Sequence, residues 1–172
     1  MNTILIGFAS SGKSATANAI CAKTGQRHFD LDQIVESRYE RKSGKRAGCR
    51  EIFKDSGADG FAERENDALR SLSNMRDSVL STGGRTPMCE DNRALLKTMG
   101  KIIYLKCGSG TVLQRMEKKG RPASMGKSAE EITAEWERRV PIYTELADIV
   151  IENDTQTPEE TARIILENLQ GI

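Results

Sequence analysis

The chain has 172 residues, with 26 lysines and arginines against 25 aspartates and glutamates. That length is sufficient for one domain with a sizeable hydrophobic core. The near-neutral charge argues against a protein that binds duplex nucleic acid, and no apolar run approaches the roughly 20 residues that span a bilayer. The N-terminal stretch lacks the basic segment and long apolar core of a signal peptide. We therefore expect a cytoplasmic protein that binds neither nucleic acid nor membrane.

Short apolar strands alternate with helical patterns along the whole chain. The first strand is predicted at TILIGF (residues 3–8), and the helix that follows it ends at a glycine. Further strands are predicted at residues 27–30, 78–83, 101–106 and 148–153. Two later helices each carry their apolar residues on one face, namely Ile132, Trp136, Val140, Tyr143 and Leu146 in one and Ala162, Ile165, Leu166 and Leu169 in the other. Strands separated by helices predict βαβ units, and therefore an α/β fold with a parallel sheet covered on both faces.

A basic stretch interrupts this alternation. SRYERKSGKRAGCR (residues 37–50) holds six basic residues and two glycines, with little apolar periodicity. Charge runs usually face water, so a solvated loop or a helix extension is predicted. The alternative is a docking patch for an anionic partner.

The cysteines and the single histidine limit the chemistry that the chain can perform. Cys21, Cys49, Cys89 and Cys107 are scattered and form no C-x-x-C pair, so we expect reduced structural thiols. With His28 alone, a Cys/His zinc site and a histidine-activated nucleophile are both disfavoured. The chemistry must therefore use carboxylates, lysine, arginine or a bound metal ion.

A phosphate-binding loop is predicted directly after the first strand. GFASSGKS (residues 7–14) fits the pattern G-x-x-x-x-G-K-[ST] and precedes a helix, so its backbone N–H groups can form an anion nest at the helix N-terminus. Lys13 would then reach the β- and γ-phosphates, and Ser14 would hold Mg²⁺. The alternative is a glycine-rich turn without a ligand. Nucleotide contacts are assigned to Gly7, Ser10, Ser11, Gly12, Lys13, Ser14 and Ala15.

Two aspartates follow the second predicted strand in the segment FDLDQI. The carboxyl ends of parallel strands form the ligand-binding edge of such a sheet, so both carboxylates are expected near the phosphate loop. Asp30 is predicted to hold the hydration shell of Mg²⁺, and Asp32 to accept a substrate hydroxyl. The alternative for Asp32 is that it only caps the next helix.

With these motifs the chain resembles the shikimate kinase family of P-loop small-metabolite kinases. The resemblance covers almost the whole length, through ILIGFASSGKS, FDLDQIVE, EIFKDSGADGFAERENDAL, VLSTGG, IIYLKC, GRP and RRVPIYTELADIVIEN in the family's order. It implies one domain over residues 1–172 with sheet order 2-3-1-4-5, a core of about residues 1–31 and 77–172, a substrate-binding region of about 32–76 and a lid of about 117–127. It also implies a monomer that uses ATP and Mg²⁺ to phosphorylate the 3-hydroxyl of shikimate.

The resemblance assigns roles to four residues outside the phosphate loop. Asp32 matches the family's aspartate that binds the shikimate hydroxyls and is the proposed base. Arg121 matches the lid arginine that closes on the phosphates, and Arg115 matches an arginine that packs against adenine. Arg139 matches one of two arginines that grip the shikimate carboxylate, which suits the bidentate geometry of a guanidinium.

The second carboxylate-gripping arginine of the family is missing here. The family reads F-R-x-x-E where this chain reads FAERE (residues 61–65), so Ala62 stands at the arginine's position. Arg64 lies two residues further, about 200° around a helix, and cannot simply replace it.

A second departure supplies an arginine at another position. The family reads G-G-G where this chain has Gly83, Gly84 and Arg85, a turn expected to contact the substrate. One interpretation is a relocated anion clamp made by Arg85, and the other is drift, with Arg85 pointing to solvent. Three further functions stay open: a kinase for a cyclitol or gluconate-like acid, a catalytically weak nucleotide-binding regulator, and a nucleoside monophosphate kinase.

Overall fold

A computed structural model describes residues 1–118 and 127–170. The strands are β1 (Thr3–Ile6), β2 (Arg27–Asp30), β3 (Ser78–Ser81), β4 (Lys101–Lys106) and β5 (Ile149–Glu152). The helices are α1 (Lys13–Thr24), α2 (Leu31–Ser43), α3 (Cys49–Ser71), α4 (Glu90–Met99), α5 (Ser109–Lys118), α6 (Ala129–Leu146) and α7 (Pro158–Gln170), with a short 3₁₀ turn at Thr86–Met88. All five strands are parallel and lie in the order β2-β3-β1-β4-β5, so the predicted α/β fold and strand order are confirmed.

The centre of the sheet is buried because alternate side chains of its central strands enter two separate apolar clusters. Ile4 and Ile6 belong to the cluster that also contains residues of α2, α3, α4 and α6. Leu5, between them, belongs to the cluster that contains residues of α1 and α7. This alternation follows from the twofold period of a strand, and it explains why β1 reads as an unbroken apolar run.

Two strands end earlier than their apolar runs suggest. β1 ends at Ile6 and β3 at Ser81, each two residues before the end of the predicted strand. After β1 the chain turns at Gly7, which has φ +146°. Both chain segments then leave the sheet at its carboxyl edge, which is where the predicted site residues come together.

The basic segment is partly helical. α2 continues through Ser43 and ends at Gly44, whose φ of 70° suits a helix C-terminus, and α3 begins at Cys49. The helix extension predicted for this segment is therefore present over residues 37–43. α3 has non-helical backbone at Gly57 (φ 71°, ψ −175°), which separates its first turns from the rest. Across the part of the chain that the structure describes, every helix is too short or too polar to cross a membrane.

Candidate active site

The phosphate-binding loop connects β1 to α1 in a conformation that requires glycine. A Cβ at Gly7 would lie 2.7 Å from the carbonyl oxygen of Leu105, and Gly12 has φ +98°. Ser10 also has a positive φ, of 62°, which is uncommon for a residue other than glycine. The loop is therefore curled tightly in front of the α1 N-terminus, as an anion nest requires.

Several buried hydroxyls around this loop lack partners. Ser10 Oγ, Ser11 Oγ and Thr16 Oγ1 are buried and form no hydrogen bond with any residue that the structure describes. Buried polar atoms are normally paired, so two unpaired hydroxyls in the loop and a third in the first turn of α1 fit a ligand rich in oxyanions. The residues present thus suit a nucleotide's phosphates.

Lys13 crosses the loop from the start of α1. Its Nζ donates to the carbonyl oxygens of Gly7 at 2.9 Å and Phe8 at 2.8 Å, and the residue is 8% exposed. These contacts tie the ammonium to the loop. A phosphate oxygen would attract the same protons more strongly than a neutral carbonyl.

Asp30 links β2, β3, α1 and α2. Its Oδ2 accepts from Ser14 Oγ at 2.8 Å and from Ser81 Oγ at 3.0 Å. Its Oδ1 accepts from the backbone N–H of Gln33 at 3.3 Å and so caps α2. The capping residue is therefore Asp30, while Asp32 lies in the first turn of the helix. A carboxylate and a hydroxyl, both ligands that Mg²⁺ accepts, meet at this point.

Asp32 lies opposite the turn after β3, together with a buried glutamate. A Cβ at Gly83 would lie 2.7 Å from Asp32 Oδ1 and 3.1 Å from Glu65 Oε1, so both carboxylates border this glycine. Gly84 packs on the other side, where a Cβ would lie 3.0 Å from the backbone nitrogen of Ala9. The turn after β3 thus lies between these two carboxylates and the phosphate-binding loop.

Glu65 is 2% exposed and accepts a hydrogen bond of 2.5 Å from Thr86 Oγ1. Burial raises its pKa to about 7, against the lowering effect of the Thr86 hydrogen bond. The charge of Asp32 raises the pKa further, and that of Arg85 lowers it. Three residues before this glutamate the chain has Ala62, so that position carries no cation.

Arg85 is half-buried and points toward α3. Its Cζ lies 4.9 Å from the ring centroid of Phe53, and that ring is in edge contact with Phe61 at 5.7 Å between centroids. The charge of Arg85 also acts on Glu65, on Glu135 and on Tyr143. By contrast, the Cζ of Arg64 lies 5.2 Å from the ring centroid of Tyr39 in α2.

Arg139 is buried on α6, with 9% of its side chain exposed. Its Cζ lies 4.9 Å from the ring centroid of Phe8, and its Nη2 donates to Glu135 Oε2 at 2.7 Å. It is also a hydrogen-bonding partner of Tyr143, whose hydroxyl donates to the carbonyl oxygen of Gly84. Side chains of α6 therefore contact both the phosphate-binding loop, through Arg139, and the turn after β3, through Tyr143.

Glu135, also on α6, accepts hydrogen bonds from two cations. Its Oε1 accepts from Lys127 Nζ while its Oε2 accepts from Arg139. Partial burial opposes its ionisation, but the Lys127 hydrogen bond and the charges of Arg139, Lys127 and Arg85 together outweigh burial and lower its pKa. Glu135 is therefore an anion at neutral pH.

Arg115 lies at the carboxyl ends of β4 and β5. Its Nη2 donates to the carbonyl oxygens of Asn153 at 2.8 Å and Asp154 at 3.0 Å, and its Nη1 lies 3.3 Å from Cys107 Sγ. Asn153 Nδ2 in turn donates to the carbonyl oxygen of Ser11 at 2.7 Å. Arg115 is therefore linked to the phosphate-binding loop through Asn153. Arg121, the predicted lid arginine, falls outside the described residues.

Four residues of this region were given no role by the motifs, namely Phe53, Glu65, Glu135 and Asn153. Glu65 closes the FAERE segment, and Asn153 ends the predicted fifth strand, so position alone offered a weak signal for both. Phe53 carries no sequence signal of its own, because its role is defined by an arginine that contacts it in the folded chain. The four-residue spacing of Glu135 and Arg139 indicates no more than a solvated helical ion pair.

Comparison with known proteins identifies the family. A family model described as shikimate kinase matches residues 9–170. The chain belongs to the shikimate kinase family. The shikimate kinase of Chromobacterium violaceum is 33% identical over 157 residues, which cover 90% of this chain and 82% of that protein. That of Limosilactobacillus fermentum is 31% identical over 171 residues, which cover 96% of this chain and 94% of that protein.

Solved structures agree with this membership. A shikimate kinase from Acinetobacter baumannii in complex with shikimate is 30% identical, with a TM-score of 0.86 and coverage of 99% of this chain and 93% of that one. The shikimate kinase of Bacteroides thetaiotaomicron gives a TM-score of 0.85 at 26% identity, with coverage of 99% and 98%. The family and the small-molecule kinase class predicted from the sequence are confirmed.

Proposed function

We propose that the protein transfers the γ-phosphoryl group of ATP to the 3-hydroxyl of shikimate. The observation that carries this proposal is the position of Gly83 and Gly84. Gly83 packs against Asp32 and Glu65, and Gly84 packs against the phosphate-binding loop. A phosphoryl donor and an acceptor hydroxyl can therefore meet at this turn. Family membership supports the choice of acceptor.

ATP is the proposed phosphoryl donor, and the curled loop with its unpaired hydroxyls is the proposed phosphate site. Lys13 exchanges its two carbonyl contacts for phosphate oxygens and stabilises the charge of the group in transfer. Ser14 and Asp30, already in contact, would hold Mg²⁺, which when bound neutralises phosphate charge. Arg115 is the proposed adenine contact, and Arg121 the proposed lid arginine.

Asp32 is the proposed base. It borders Gly83 at the carboxyl edge of the sheet, where an acceptor hydroxyl would approach. As a carboxylate it can accept the proton that the hydroxyl loses when it attacks phosphorus. Because the pKa of the neighbouring Glu65 is raised to about 7, this group is partly protonated near neutral pH. The two neighbouring acidic groups therefore need not both be charged.

Arg139 and Arg85 are the proposed ligands of the acceptor's carboxylate. Arg85 comes from the turn after β3 and contacts Phe53, next to the Phe61 ring that precedes Ala62. This supports the relocated clamp, because Arg85 places a cation against the pair of α3 aromatic rings that adjoins position 62. The proposed substrate-binding region, about residues 32–76, contains α3 and all of α2 except its first residue.

We further propose a cytoplasmic monomer. The four cysteines are free, in keeping with a reducing compartment. Among the described residues only Met1 and Val150 are large, apolar and exposed, which leaves little apolar surface for a permanent partner.

A coupled assay of ADP release tests the function directly. The acceptors are shikimate, quinate, gluconate and nucleoside monophosphates, each at several concentrations with Mg²⁺ and ATP. We expect the highest kcat/KM with shikimate. A higher value with gluconate or quinate would favour the alternative acid kinase, and no turnover with any acceptor would favour a nucleotide-binding regulator.

A further inference from the structure

Two cations contact one carboxylate in the proposed acid subsite, and the charge of a third acts on it. Glu135, whose side chain is 17% exposed, accepts from Lys127 with one oxygen and from Arg139 with the other. The charge of Arg85 acts on the same group. Arg85 and Arg139 are the two residues assigned above to the acceptor's carboxylate. Glu135 is therefore a carboxylate of the chain itself at the place where the acceptor's carboxylate would bind.

The burial of Arg139 explains why such a group is needed. A guanidinium with 9% of its side chain exposed has lost most of its hydration, and a buried charge requires a partner. The ring of Phe8 and the hydroxyl of Tyr143 offer no negative charge. Among the described residues, Glu135 is the carboxylate that contacts Arg139.

We propose that Glu135 is a resident carboxylate of the acid subsite that competes with the acceptor's carboxylate for Arg139, and so determines how strongly the pocket favours anionic acceptors. The proposal rests on the proposed function. Arg139 Nη2 is already bonded to Glu135, so an arriving carboxylate has to displace Glu135 or share the guanidinium with a like charge. Lys127, which contacts the other oxygen of Glu135, still pairs with Glu135 after its displacement from Arg139.

The decisive variant is Glu135→Gln. The amide keeps the length and one oxygen for Arg139 but removes the charge, so competition weakens while the packing is retained. We expect the KM for shikimate to fall by roughly tenfold, on the scale of one charge-assisted hydrogen bond. The KM for ATP and the value of kcat should stay within about twofold of those of the unmodified protein.

A neutral acceptor and a matched variant isolate the effect of charge. For the methyl ester of shikimate, which carries no carboxylate, Glu135→Gln should leave the KM unchanged. Glu137→Gln removes the same charge from an exposed position on the same helix and should alter neither acceptor's KM. Glu135→Asp retains the charge but withdraws it from Arg139, so it should also lower the KM for shikimate, even if Glu135→Gln fails to fold.

The opposite results are equally clear. A rise in the shikimate KM with both Glu135 variants would mean that this residue positions Arg139, and would overturn the competition. Unchanged KM values, or equal changes for shikimate and its ester, would overturn it as well. Calorimetry distinguishes failure of this inference from failure of the proposed function. If shikimate binds but is not phosphorylated, the proposed function is refuted. The ratio of the shikimate Kd of the unmodified protein to that of Glu135→Gln then still tests the competition. Failure of both the unmodified protein and Glu135→Gln to bind shikimate would refute both.

Discussion

Replacing Arg85 by methionine should weaken shikimate binding without disturbing ATP. Methionine keeps an apolar stem beside Phe53 but removes the guanidinium, which lies 4.9 Å from that ring. Loss of a charged hydrogen-bond partner costs about 1.5–3 kcal/mol, or roughly ten- to a hundredfold in KM. Leaving the Phe53 ring to reach the acceptor costs the unmodified protein about 0.5–1 kcal/mol. We therefore expect an increase in KM near the lower end of this range.

The assay compares four proteins in a double-mutant cycle: the unmodified chain, Arg85→Met, Ala62→Arg and the double variant. If Arg85 replaces the arginine missing at position 62, then Ala62→Arg should recover much of the loss caused by Arg85→Met, and the two changes should be strongly non-additive. Arg64→Met is the matched control, because its guanidinium also lies over an aromatic ring, that of Tyr39. Its KM for shikimate should be unchanged in a variant with normal thermal unfolding.

Two results would refute this reasoning about Arg85. A lower KM or faster turnover in Arg85→Met would show that the guanidinium obstructs shikimate instead of binding it. No effect of Arg85→Met or Ala62→Arg on any acceptor would show that the acceptor's carboxylate is held elsewhere, and that the contact with Phe53 serves packing alone.

The remaining predictions concern the donor site, the base and the buried glutamate. Lys13→Ala should lower kcat by about a hundredfold or more in a folded protein, measured by ADP release, and unchanged activity would refute its role. Asp32→Asn should lower kcat strongly with the ATP affinity preserved, and a collapse of ATP binding would assign it to the donor site instead. Glu65 has its pKa raised from 4.5 to about 7, so its contribution to stability is complete below pH 4.5 and is lost as the pH rises through 7. The free energy of unfolding, measured in urea and taken relative to Glu65→Gln, should therefore fall by about 3 kcal/mol across that interval, and a constant difference would refute the shift.

The sheet and the phosphate loop were predictable because their signals are local. An apolar run of strand length, a curled glycine pattern and a helix of matching period define β1, the loop and α1 without reference to the rest of the chain. The order of the strands was not local information, and it came from the resemblance to the family. The helical form of residues 37–43 was one of two predicted outcomes, since exposed charge suits a loop and a helix equally.

The electrostatics of the acceptor side were not predictable. A glutamate four residues before an arginine usually forms a solvated pair, and nothing in the sequence indicates that Arg139 is buried or that Lys127 joins Glu135. Arg85 could face either way after two glycines, because its direction depends on Phe53 in a distant helix. The raised pKa of Glu65 likewise depends on the depth of its burial.

The central position of β1 has a consequence for the synthesis of the chain. β1 and the phosphate-binding loop are made before the other described strands, yet β1 pairs with β3 and β4, which follow it by many residues. Parallel strands cannot pair until their crossover connections exist, so β1 must remain unpaired while the intervening helices leave the ribosome. Asn153, which donates to the loop at Ser11, is made later still. A nascent chain that ends before β4 should therefore be unable to retain nucleotide, although it already contains every residue of the phosphate-binding motif.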